Sequence, residues 1–164
     1  MNLFLHLLIH FFFSLLAGFL VFRIWKKPLA SFASAIFGGV LVDSDHLIDY
    51  LLAFGYHFRL DYFTQGYQFL KSDKIYILFH AWEYVAVLLL IALLVKNKTA
   101  RSIALGLGIG LFFHLSTDVV IDAVPIRTYS IIYRAENNFE IQKMAYPEHW
   151  ERHLRKKAAT TLEY

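Results

Sequence analysis

The chain has 164 residues, 58% hydrophobic and 18% charged, with a formal net charge of +3. That apolar share exceeds the roughly 45–50% of soluble domains and is the composition of a membrane protein of one domain's length. With no cysteine, disulfides and thiolate metal sites are excluded, and because most Lys and Arg flank apolar runs, the positive balance points to lipid headgroups and topology, not to nucleic acid.

A bilayer core of about 30 Å takes about 20 helical residues. Four segments meet that length, 3–24, 31–55, 75–95 and 102–124. The expected fold is therefore all-α: a four-helix transmembrane bundle over residues 1–125, followed by a polar tail, 126–164, that is not an independent domain. The first segment lacks a basic leader and an A-x-A-like cleavage site, and Arg23, Lys26 and Lys27 follow it, so it reads as a retained span. Along it His6, His10, Ser14 and Gly18 recur at i+4, a polar and small stripe. Pro28 suits the turn into the second span. There Gly38 and Gly39 permit close packing just before LVDSDHLIDY, which holds Asp43, Asp45, His46 and Asp49.

The third span has His80 and Glu83 at i, i+3, on one helix face. The fourth has His114, Asp118 and Asp122 at i+4. In the tail, PEHWERHLRKK predicts a helix starting near Pro147, with Trp150 and Leu154 on one face, lying at the membrane interface. His149 and His153 read as surface residues of that helix. Loops 1 and 3 carry Arg23, Lys26, Lys27, Lys96, Lys98 and Arg101 without acids. The positive-inside tendency then puts them in the cytoplasm and makes this a multi-pass protein of the inner membrane, with both termini and the middle loop outside the cytoplasm.

Chain direction alternates between spans, so depth must be counted from one membrane face. Counted that way, His6 and His10, Asp43 to Asp49, His80 and Glu83, and His114 to Asp122 all fall in the leaflet beside the N-terminus and the middle loop. A charge within a membrane helix costs roughly 2.5–3.5 kcal/mol on insertion scales. Three Asp and a His in one span call for a wet cavity or a shared cation, and a divalent ion both offsets their repulsion and uses both residue types as ligands. A structural polar network and a proton or ion pathway are the alternatives. Asp49 and Asp122 suit partners that orient a ligating histidine.

The chain resembles small multi-pass bacterial and archaeal proteins described as membrane-bound metal-dependent hydrolases, including the LexA-regulated inner-membrane members. The resemblance rests on His10, on VDSDH with Asp43, Asp45 and His46, on FHAWEY with His80, and on FHLSTD with His114 and Asp118, across residues 5 to 125. Val42 stands where the pattern has proline and Ala81 where it has serine. The H-x-x-x-D pairing is more distantly similar to zinc-dependent phospholipase C and P1-type nucleases.

The resemblance implies His10, Asp43, Asp45, His46, His80, His114 and Asp118 as ligands of a divalent metal, zinc above manganese or iron. It also implies hydrolysis by a metal-bound water. Glu83, one turn from a ligand, is the expected general base. A site about 10 Å deep in a leaflet meets lipid or amphiphile esters and phosphoesters first, and Arg59, Arg127 and Arg134 are expected to attract phosphate. The competing class is a non-enzymatic metal-binding or ion- or proton-conducting membrane protein.

Overall fold

A computed structural model describes residues 3–160, so the last four residues of the expected tail lie outside the described residues. The described chain is helical, with no strand and a single isolated bridge between Lys74 and Glu140. It divides into two compact units, one of residues up to Asp43 together with Phe79–Ala123, the other of Ser44–Leu78 together with the chain from Val124 onward.

The first unit holds α1 (Leu3–Trp25), α2 (Pro28–Gly39), α6 (Trp82–Leu94) and α7 (Lys98–Ile121). Among the described residues, only α1 and α7 are long and apolar enough to cross a membrane; α2 and α6 are apolar but shorter. The expected continuous helices over 31–55 and 75–95 are therefore corrected. The second breaks after Gly39 into a 3-10 turn, Leu41–Asp45, and then α3 (His46–Phe54). Two glycines at the end of α2, followed by Asp43, Ser44 and Asp45, give the backbone poor helix formers and competing side-chain acceptors.

α2 and α7 approach backbone to backbone. A Cβ on Gly38 would collide with the Leu107 carbonyl, and one on Gly110 with the Ala35 carbonyl. Ser31 and Ser102 share a hydroxyl–hydroxyl bond of 2.8 Å across the same seam. The α7 face that meets α2 is thus the i+4 series Ser102, Gly106, Gly110, a small-residue packing stripe. The outer surface of this unit is apolar, with Phe4, Phe12, Ile24, Phe37, Leu93, Leu94 and Val120 all more than half exposed.

The second unit contains α3, α4 (Leu60–Thr64), α5 (Tyr67–Ser72), α8 (Ile131–Glu136), α9 (Ile141–Met144) and α10 (Pro147–Ala159). Its centre is aromatic: Tyr50, fully buried, touches the rings of Phe54, Phe58 and Phe63. The stretch before His80 is not helical because its backbone is satisfied elsewhere. The N–H groups of Tyr76 and Ile77 donate to the Asp49 carboxylate at 2.7 and 2.9 Å, and Ile75 N–H donates to the Phe139 carbonyl at 3.0 Å. Ile77 sits at φ 32°, costly for a β-branched residue, and is held there between Asp49 and the Arg134 guanidinium, which donates to its carbonyl at 3.1 Å.

Two expectations change with this packing. Asp49 has both oxygens on backbone N–H groups and does not orient a histidine. Arg134 is fully buried and donates to the carbonyls of Thr128 and Ile77, so it is no attractor of phosphate at a surface. The tail helix does begin at Pro147, as α10. It is tied to the chain after α5 by Asp73, which takes His153 at 2.8 Å and Lys157 at 2.5 Å. Partial burial alone would raise the Asp73 carboxyl, yet these two donors hold it below its usual range, ionised.

Candidate metal centre

Within the first unit, four separate pieces of chain bring polar groups to one place. α1 supplies His6 and His10, the turn after α2 supplies Asp43, the segment just ahead of α6 supplies His80, and α7 supplies His114 and Asp118. His10, His80 and His114 are each 1% exposed and Asp118 is 3% exposed. His6 and Asp43 are less enclosed, with side chains 22% and 21% exposed, and give the cluster its open side.

The contacts radiate from Asp118. Its Oδ2 lies 3.0 Å from His114 Nε2 and 3.9 Å from His80 Nε2. Its Oδ1 lies 3.0 Å from His10 Nε2 and 3.7 Å from His6 Nε2. Asp43 Oδ1 adds contacts of 3.2 Å to His80 and 3.4 Å to His114. The ring nitrogens also meet one another, His80 with His114 at 2.9 Å and His6 with His10 at 2.8 Å.

Such spacings suit co-ligation. Ligands about 2.1 Å from a tetrahedral ion stand roughly 3.4 Å apart, inside the span seen here. Three subsets of this unit, His6–His10–Asp118, His10–Asp43–His114 and His80–His114–Asp118, have donor atoms all within 4.8 Å of one another. Asp118 Oδ1 is buried and accepts no hydrogen bond among the described residues, although His10 Nε2 is 3.0 Å away. A separation of that size is also one that two ligands of a single ion can have. These buried His and Asp groups can hold a metal ion.

The orientation of His114 is fixed from behind. Its Nδ1 donates to the Gly39 carbonyl at 3.1 Å, which turns Nε2 toward Asp118 and His80. A carbonyl is available there because α2 ends at Gly39 and the next backbone N–H groups follow a 3-10 turn.

Of the ligands expected from sequence, His10, Asp43, His80, His114 and Asp118 lie together in this cluster. Asp45 and His46 belong to the second unit, where Asp45 is fully buried and the His46 ring stands edge-on to Phe69 at 5.7 Å. Glu83 lies half-buried in the first turn of α6, while His80 precedes that helix, so the helical face expected to join the two is not formed. Asp122 ends α7 as its C-cap. The residue left out of the expected ligand set is His6, whose signal was its i+4 spacing to His10. Comparison of the chain with family models, curated proteins and solved structures finds no match in any of the three.

Proposed function

We propose that the protein is an integral membrane metal-dependent hydrolase, acting on an ester or phosphoester of a lipid or other amphiphile, with zinc as the preferred ion. The observation that carries this reading is the carboxylate of Asp118, whose two oxygens face two different histidine pairs, His6 with His10 and His80 with His114. A carboxylate so placed suits a pair of divalent ions, each with nitrogen and oxygen donors and no thiolate. Bound there, such ions supply Lewis acidity and lower the pKa of water toward neutrality.

The chain's own residues define the rest. His10, His80, His114 and Asp118 form the closed wall, and His6 with Asp43 form the side open to substrate and water. Helix lengths agree with a membrane setting. At about 1.5 Å per residue, α2 and α6 each reach about 20 Å from the loops joined to α1 and α7, and stop where Asp43 and His80 take over. On α1, His10 lies about 20 Å from Arg23 by the same measure. In a bilayer, non-helical backbone at that depth is tolerated only where protein buries it or a cavity hydrates it. Half-spanning helices ending at a polar cluster are that arrangement, and they leave about 10 Å to the nearer headgroup layer.

Elemental analysis of the purified protein tests the proposal. Divalent metal at up to two equivalents per chain is expected, falling by at least half in His114→Ala and Asp118→Asn. A panel of lipid esters and phosphoesters should be turned over only by metal-loaded protein. Stoichiometric metal without turnover on any substrate would favour a non-enzymatic metal protein; no metal at all would end both metal readings and leave a proton or ion pathway.

A further inference from the structure

In the second unit, α10 carries His149, Arg152, His153 and Lys156 at i, i+3, i+4 and i+7, so they share one helix face. That face closes a cavity of about 300 Å³ whose opposite wall is the Gln65–Gly66 turn and Phe69 with Leu70. No carboxylate lines it. The acids nearby are engaged elsewhere: Glu151 pairs with Arg155 at 3.7 Å, and Asp73 takes Lys157 and His153.

The wall is built with groups already fixed in place. Lys156 Nζ donates to the Gln65 carbonyl at 2.9 Å and sits over the Tyr67 ring. The His153 ring is held by Asp73 and stacks on Trp150 at 5.0 Å. Between them, the Arg152 guanidinium and the His149 imidazole have no hydrogen-bond or ion-pair partner among the described residues. A guanidinium fork, an ammonium and an imidazole lining one open surface cavity, with no carboxylate in its lining, are a donor set for a phosphate group.

We propose that this cavity binds a phosphate ester, with Arg152 gripping two phosphate oxygens, Lys156 and His149 donating to the others, and the ester group resting on Phe69. Its size, at the lower limit of small-molecule sites, suits a phosphate with a glycerol-sized substituent. The anion has two sources, a phospholipid headgroup or a soluble phosphate compound. Neither depends on the metal reading above.

The test follows 31P resonances of two probes added to the full chain in neutral detergent: inorganic phosphate, and phosphatidic acid dispersed in the micelles. Saturable line-broadening is expected with at least one probe, and which one identifies the source. Arg152→Gln should weaken that binding at least about tenfold, as expected for loss of a charge-assisted pair. Arg152→Lys should fall between, since it keeps the charge and loses the fork. Arg155→Gln removes the same charge from the same helix outside the cavity, and should change affinity less than twofold. Absence of saturation with both probes, or equal loss in Arg155→Gln and Arg152→Gln, would overturn the assignment.

Discussion

His114 gives one ring nitrogen to the backbone of α2 and the other to the cluster, and that division decides how the site is read. The carbonyl fixes the ring's orientation, so the nitrogen turned inward, Nε2, is the one that meets Asp118 and Asp43 and the one that a metal would take. Glu83 is the residue whose role stands furthest from the geometry, since it starts α6 whereas His80 precedes it. As a base it should be dispensable for metal. Glu83→Gln keeps size and hydrogen bonding but loses the basic carboxylate. It should retain full metal content and a native melting temperature, yet lose at least about tenfold in lipid-ester hydrolysis. Equal rates at equal metal content would remove Glu83 from the mechanism. The donors themselves were legible as types and spacings in single helices. What spacing could not show was the carbonyl behind His114, because it depends on where α2 stops.

At the scale of elements, the site stands on the α2–α7 seam. α2 leads directly into the turn bearing Asp43, and α7 carries His114 one turn beyond Gly110. Gly110→Ala would drive a methyl into the Ala35 backbone, which cannot move aside as a side chain can. Overpacking of this kind costs about 1–3 kcal/mol. The expected result is a lower melting temperature together with reduced metal occupancy, since the two helices that hold the ligands must separate. Gly108→Ala, whose added carbon would meet only the Leu88 and Leu89 side chains at 3.3 Å or more, is the control and should be milder in both readouts. If Gly110→Ala were as benign as Gly108→Ala, the seam would not be what sets the ligand positions. Helices α1 and α7 were readable from hydropathy because each is one uninterrupted apolar run. The breaks at Gly39 and before Trp82 were not. The first comes from residues that a hydropathy window averages over, the Gly38–Gly39 pair and then Asp43, Ser44 and Asp45; the second is tertiary, with Asp49 capping the amides of Tyr76 and Ile77.

For the whole molecule, the donors come from four pieces of chain separated by long stretches of sequence. The excursion of roughly 35 residues between Asp43 and Phe79 belongs to the other unit, so the ends that must meet around Asp118 are brought together at an entropic cost. Two carboxylates, Asp43 and Asp118, also face the same histidines. An ion that binds only the folded state should therefore matter to stability. At a hundredfold excess over its dissociation constant it would contribute about 2.7 kcal/mol. For a chain of this length that is roughly 5–10 °C in melting temperature. We expect chelation to lower the melt by that order, and zinc readdition to restore it. Asp118→Asn separates this from a polar network without metal. In the chelated state the substitution costs the histidines around Asp118 their carboxylate in either reading, so the separating readout is zinc, and Asp118→Asn should abolish the response to it. A network without metal predicts a wild type indifferent to chelation and to zinc, with Asp118→Asn lowering the melt by the same amount whether or not zinc is present, because the partners of a buried carboxylate are left unpaired in both buffers.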